Sequence, residues 1–213
     1  HATGLGLLRT LAALPGVAPM QMGSAEALAV QEPVMVLPHG GRPAASIGYV
    51  VSKRRFTAGW EYMLESALFV SPPTMQWAGA ALVNREGKLV GVGSLLLRAV
   101  DREQPVPGNM FVPVDVLKPI LKDLIASGHR AEPARPWVGL RTEELQGHLI
   151  ITNVSQDGPA EKAGIRRGDI LVGIGGDSVR NQEEFYRRMW SMGGAGTEIP
   201  LRVLQGAELK EFK

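Results

Sequence analysis

A chain of 213 residues suffices for one large domain or two small ones with a substantial core, and two is the expectation. Its 23 Lys and Arg against 21 Asp and Glu leave a formal charge of +2, and the arginine pairs Arg54-Arg55, Arg166-Arg167 and Arg187-Arg188 are scattered, so the basic stripe of a nucleic-acid binder is excluded. The absence of cysteine excludes disulfides, thiol catalysis and thiolate metal sites.

In chain order, Gly4-Leu5-Gly6-Leu7-Leu8 has the composition of a buried strand, followed by the loop Ala12-Ala13-Leu14-Pro15-Gly16. Residues 25–30 lead to a second apolar strand, Val34-Met35-Val36-Leu37, broken by Pro38-His39-Gly40-Gly41. Residues 45–52 are strand-like, residues 60–70 fit strand or helix, and Pro72-Pro73 ends that segment. The stretch Met75-Gln76-Trp77-Ala78-Gly79-Ala80-Ala81 is a small-residue turn entering a β-hairpin closed by Asn84-Arg85-Glu86-Gly87-Lys88. A long core strand at 88–97, a Pro/Gly loop at 104–109 and a short strand at 111–113 follow. Asp115 opens a helical pattern in which Leu117, Ile120, Leu121, Leu124 and Ile125 share a face, with Gly128 as terminator.

Residues 129–136 are polar, contain proline, and have no periodicity, which marks a linker between a first domain at 1–128 and a second at 137–213. Beyond it the pattern predicts strands at 148–154 and 169–174, helices at 159–163 and 182–190, and a last strand at 199–204 whose successor is clipped. Asn181 and Glu184 have capping-box spacing, and Phe185 and Met189 fall on one helical face. The histidines His1, His39, His129 and His148 are far apart, so no metal site and no other cofactor is expected. No run approaches the ~18 apolar residues of a membrane-spanning helix, and no secretory leader is visible.

From Trp137 onward the sequence resembles a bacterial, protease-associated PDZ domain. The matching residues are Trp137-Val138-Gly139-Leu140 at the carboxylate-binding loop, Gly158-Pro159-Ala160-Glu161-Lys162-Ala163-Gly164-Ile165, Arg167-Gly168-Asp169-Ile170-Leu171, and Gly173-Ile174-Gly175-Gly176-Asp177-Ser178-Val179. The resemblance implies that backbone N–H groups of the first loop receive a peptide's C-terminal carboxylate, while the adjoining strand edge pairs with the peptide. Leu140, Phe185 and Met189 would then line a pocket for an apolar terminal residue, although each also suits an ordinary core position.

With a PDZ domain behind it, the first part resembles the trypsin-like domain of the high-temperature-requirement (HtrA/Deg) serine proteases from its midpoint onward. Asn109-Met110-Phe111-Val112-Pro113 and the following helix are similar to that family's Gly-Phe-Ala-Ile-Pro segment. The implied fold is mostly β: a partial second β-barrel followed by an α+β PDZ domain. Such catalysis needs a Ser nucleophile, a His base, an orienting Asp and oxyanion donors. Position by position, the nucleophile falls on Ala78, the oxyanion-loop Gly on Gln76 and the triad Asp on Gly4, while the His would precede residue 1. His39 reads as a turn residue, and Ser71 and Ser94 as strand residues.

Three functions follow from the resemblance. The first is a pseudoprotease scaffold with a PDZ domain that binds extended peptides or protein C-termini, set in the periplasm or cell envelope in quality control or assembly. The second is an active endopeptidase whose Ala78 was engineered from Ser and whose missing half holds the other triad residues. The third is a PDZ adaptor with a vestigial barrel. A lone second barrel would expose apolar surface, so either a first barrel or another copy of the chain is expected to cover it.

Overall fold

The computed structural model describes residues 3–101 and 105–213, so His1 and the first residue of the expected loop at 104–109 lie outside the described residues. The chain divides into two compact units, one of residues 3–56 and 64–131, the other of residues 57–63 and 132–213.

The first unit is built on six antiparallel strands: β1 (Pro33–Leu37), β2 (Ser46–Ala58), β3 (Tyr62–Ser71), β4 (Ala81–Val83), β5 (Leu89–Leu97) and β6 (Gly108–Pro113). They close into a barrel in the order β1-β2-β3-β6-β5-β4. Period-two patterning sets what faces inward. In β1, Val34 and Val36 are buried while Met35 is exposed, and the interior is filled by Leu28, Val50, Leu68, Val70, Leu82, Val90 and Phe111. The hairpin expected after the small-residue turn forms as β4 and β5, with Asn84 Oδ1 accepting from the Lys88 N–H at 2.9 Å across its turn.

Several expectations change here. Residues 4–8 form no strand: they have no ladder partner among the described residues, and Leu7 and Leu8 are exposed. Apolar composition without a neighbouring backbone cannot satisfy a strand's hydrogen bonds. The segment at 60–70 resolves as strand, and β6 takes in Gly108 and Asn109 from the expected loop. The single helix expected from Asp115 is broken into 3₁₀ turns at Val114–Val116 and Lys118–Ile120 before α1 (Leu121–Ser127). Pro119 has no N–H to donate into a continuous helix. Of the expected apolar face only Ile120 is buried, and Ile125 is exposed; Gly128 does cap α1 in the left-handed conformation.

The 3₁₀ turns position Asp115, which fastens the segment ahead of β1. Its Oδ1 accepts from Ser24 Oγ at 3.0 Å and Lys118 Nζ at 2.9 Å, and its Oδ2 from the Ala25 N–H at 2.7 Å. Burial pushes this carboxyl upward, but the hydrogen bonds from Lys118, Ala25 and Ser24 prevail and hold it below the ordinary Asp value.

The second unit carries a sheet in the order β12-β11-β9-β8-β7, with β10 paired to β9. Its strands are β7 (Leu140–Leu145), β8 (His148–Val154), β9 (Ile170–Ile174), β10 (Asp177–Ser178), β11 (Leu201–Gln205) and β12 (Glu208–Phe212), with α2 (Pro159–Ala163) and α3 (Gln182–Ser191) between them. The expected last strand is followed by β12, which pairs with β11 from Leu201↔Phe212 to Gln205↔Glu208. The core gathers Leu149, Ile151, Leu171, Ile174, Phe185, Tyr186, Met189, Leu201 and Val203.

Replacing Asp115 by Ala should lower the unfolding free energy at pH 7 by about 1–3 kcal/mol, the worth of hydrogen bonds to a charged group. Because the native carboxyl lies below its unfolded value, this contribution is present above the unfolded Asp pKa of about 4 and is lost as pH falls through the native one. Urea titrations at pH 7 and pH 3 check it: an equal deficit at both would contradict the assignment.

Candidate functional site

Two places were marked by the sequence, and the structure treats them differently. In the first unit, Trp77, Ala78, Gly79 and Ala80 form a tight turn in which the Ala80 N–H donates to the Trp77 carbonyl at 3.0 Å and Gly79 has φ of 73°. The Gly79 N–H donates to the Gly93 carbonyl at 2.9 Å, so β5 carries the turn. Ala78 is exposed and brings only a methyl group. The N–H of Gln76, the residue expected at the oxyanion loop, donates to Thr74 Oγ1 at 3.3 Å within its own loop. Thr74 is itself held by Asn109, whose Oδ1 accepts from the Thr74 N–H at 2.7 Å and whose Nδ2 donates to the Thr74 carbonyl at 3.2 Å.

Gly4 lies in an exposed bend outside any strand. His39 occupies an exposed turn after β1, Ser71 Oγ donates to the Pro107 carbonyl at 2.8 Å, and Ser94 sits at a register shift of β5. Residues 74–80 thus form a braced loop that carries no Ser, Cys or His. Among the described residues no cluster of His, Asp and Glu could hold a metal ion.

The second unit builds a different kind of site. The loop Trp137-Val138-Gly139-Leu140 leads into β7, and Gly139 adopts φ of 83°. A side chain there would be strained and would meet the Trp137 ring at 3.3 Å and Ser155 Cβ at 3.2 Å. The loop's carbonyls are engaged from behind: the Ala160 N–H donates to the Val138 carbonyl at 3.0 Å and the Ser155 N–H to the Gly139 carbonyl at 2.8 Å. Its N–H groups therefore point the other way, and three in a row converge on one carboxylate. Glu61 Oε1 accepts from Gly139 at 2.7 Å and Leu140 at 2.8 Å, and Oε2 from Val138 at 3.1 Å. Successive amides turned to one side make a concave anion site. Burial pushes the Glu61 carboxyl up from its ordinary value, and the three N–H groups act in the opposite direction.

Val138, Leu140, Phe185 and Met189 all belong to the buried cluster, whereas the Trp137 side chain is more than half exposed. Helix α3 presents Gln182, Phe185, Tyr186 and Met189 inward at spacings of three and four. Its first turn is fixed by Asn181, whose Oδ1 accepts from the Glu184 N–H at 2.8 Å; the reciprocal bond of a capping box runs one residue off, from the Arg180 N–H to Glu184 Oε2 at 3.0 Å.

Sequence reasoning did not find the rest of this site. Residues 57–63 supply Glu61, and the Gly59 carbonyl accepts from the Thr142 N–H of β7 at 2.9 Å. Tyr186 Oη donates to the Ala58 carbonyl at 2.7 Å and accepts from the Glu61 N–H at 3.0 Å, and burial pushes its phenol up to about 12. Gln182 Nε2 donates to the Thr142 carbonyl at 2.8 Å. The one local signal was Ala58-Gly59-Trp60-Glu61, a turn-like tetrapeptide between two runs of strand character.

A barrel of six antiparallel strands followed by a small sheet whose first loop gathers amides around a carboxylate defines the class: a protease-like barrel joined to a PDZ module. Residues 136–213 match the PDZ domain family. In sequence the chain is similar to the serine protease Do-like HtrA of Bacillus subtilis (25% identity, 62% of this chain and 32% of that protein). It is also similar to the serine endoprotease DegS of Haemophilus influenzae (28% identity, 60% and 36%) and to a probable periplasmic serine endoprotease DegP-like of Pseudomonas fulva (23%, 91% and 42%). The chain thus spans about a third to two fifths of the length of these relatives. Its fold is similar to that of the HtrA-type protease AlgW, solved with a decapeptide (TM-score 0.55, 17% identity, 94% of this chain and 64% of that one) and with a tripeptide (0.53, 17%, 94% and 69%). The chain therefore carries a PDZ domain and is related to the HtrA, DegP and DegS serine proteases, of which it matches a part.

Since one side-chain cap fixes the start of α3, Asn181→Ala should cost about 1 kcal/mol in a urea or thermal titration. An unchanged midpoint would show that the cap is dispensable.

Proposed function

We propose that this chain is part of an HtrA-related pseudoprotease whose PDZ domain binds the free C-termini of extended peptides or proteins, with the barrel serving as a non-catalytic scaffold. The observation that carries the reading is the convergence of the Val138, Gly139 and Leu140 N–H groups on a carboxylate. A peptide's terminal carboxylate needs the same three donors, and the neighbouring edge of β7 offers main-chain pairing for the residues before it. Charge-assisted bonds from fixed amides give orientation as well as energy. Trp137, Val138, Gly139 and Leu140 are assigned to the carboxylate and the strand edge, and Phe185 and Met189 to the wall that favours an apolar terminal side chain. The barrel part rests on Ala78 in place of a nucleophile, Gln76 with its N–H drawn to Thr74, and Gly4 outside any strand. A periplasmic or cell-envelope setting is proposed from the relatives named as periplasmic.

Two measurements test this function. Heptapeptides ending in Ala, Val or Leu with a free carboxylate should bind the 213-residue chain by fluorescence anisotropy, and C-terminal amidation should weaken them at least about tenfold, the worth of a lost charge-assisted hydrogen bond. Indifference to amidation would remove the carboxylate reading. The chain, and any longer form containing it, should leave fluorescein-labelled casein uncut, and Ala78→Ser should not react with a fluorophosphonate probe. Turnover by the longer form would establish an enzyme instead.

A further inference from the structure

The amide cradle at Val138–Leu140 is already filled by the chain itself, and the filling goes beyond one carboxylate. Starting from the carboxylate and moving backward along the tip, the Glu61 side chain meets Val138, Gly139 and Leu140, and the Gly59 carbonyl meets the Thr142 N–H two residues further along β7. Residues 59 to 61 therefore run opposite to β7, as an added antiparallel strand ending in a carboxylate would. From the α3 side, Tyr186 Oη bridges the Ala58 carbonyl and the Glu61 N–H. Met63 completes the seating, buried in the same cluster as Val138, Leu140, Phe185 and Met189.

The sequence of the tip is suited to this use. A Cβ on Gly59 would lie 2.1 Å from the Thr142 carbonyl oxygen and 3.2 Å from Gln182 Nε2, so a residue without a side chain is required for so close an approach. Glu61 holds a positive φ of 58°, uncommon for a non-glycine residue, which aims its side chain while the backbone turns away.

We infer that residues 57–63 are a built-in ligand of the PDZ groove, with the Glu61 side chain standing in for a peptide's α-carboxylate, so that a partner's free C-terminus binds by displacing this tip. The inference rests on the reading of the groove as a peptide site. A tethered ligand competes at an effective concentration in the millimolar range for a short connection, and an external peptide's apparent affinity falls with the fraction of open groove. By reciprocity, each peptide that binds releases the tip.

Two variants open the groove independently: Glu61→Ala removes the carboxylate, and Gly59→Ala drives the tip from β7 by collision with the Thr142 carbonyl. The readouts are anisotropy with the free and amidated heptapeptides ending in Ala, Val or Leu, and amide hydrogen exchange at Val138, Gly139 and Leu140 in the 213-residue chain. Both variants are expected to bind free-carboxylate peptides at least about tenfold more tightly than wild type, with no gain for amidated ones. The three amides should be protected in wild type, exposed in both variants and protected again when peptide is added. Equal peptide affinity in wild type and variants, or unprotected amides in wild type, overturns the built-in ligand while leaving the groove reading intact. Amides that open in the variants but are re-protected by no peptide support the built-in ligand and defeat the peptide-binding function.

Discussion

Three neighbouring amides aimed at one point are the constraint on which the second unit is organised. A buried N–H without an acceptor costs on the order of 1–3 kcal/mol, and here Val138, Gly139 and Leu140 accumulate that demand in three consecutive residues. The loop's carbonyls are bound by the N–H groups of Ala160 in α2 and of Ser155 just after β8, and a side chain at position 139 would be both strained and crowded. A carboxylate is the group that answers this geometry best, having two oxygens and negative charge to match three donors. Burial of Glu61 opposes its ionised form and is offset only in part by the same three bonds, so the carboxyl stays above its ordinary value.

Against this, the loop at 74–80 in the first unit is held by contacts of its own. The Trp77 to Ala80 turn is held by β5, and Thr74 by Asn109, none of which depends on a hydroxyl at position 78. Oxyanion stabilisation needs donors left open until the transition state forms. At Gln76 the N–H instead satisfies itself on Thr74 Oγ1. Stability and catalysis make different demands on one loop, and these contacts serve the first.

Much of this arrangement is legible in the chain. Apolar, strand-like runs mark β1, the start of β2, and β5, the Asn84 to Lys88 turn marks its hairpin, and the glycine and proline positions of residues 158–179 announce the PDZ pattern. What fails does so for physical reasons. Leu5 to Leu8 has a strand's composition, but composition supplies no hydrogen-bonding neighbour. Pro119 interrupts a helix that the spacing of Leu117, Ile120 and Leu124 otherwise favours. Strand β12 has the sequence Glu-Leu-Lys-Glu-Phe, mostly exposed, so its burial pattern offers no periodicity to read. The cradle residues Val138 to Leu140 are recognisable from the motif, whereas Glu61 is not: 77 positions separate it from Val138, and no local rule links a turn glutamate to a distant loop.

Sheet edges give the tip at 57–63 a second meaning. Closure of the six-stranded barrel leaves that unit without an open ladder, although Met35, Ile47 and Tyr49 are exposed on its outer face. In the other sheet the outer strands are β7 and β12. Strand β12 displays Glu208, Lys210 and Glu211 along its length, charges that deter a foreign strand from docking. Strand β7 buries Leu140 and Thr142, and the Gly59 carbonyl accepts from its Thr142 N–H. The tip's contact with β7 therefore covers a stretch of sheet edge that would otherwise be open to pairing with a foreign β-segment, a guard against aggregation.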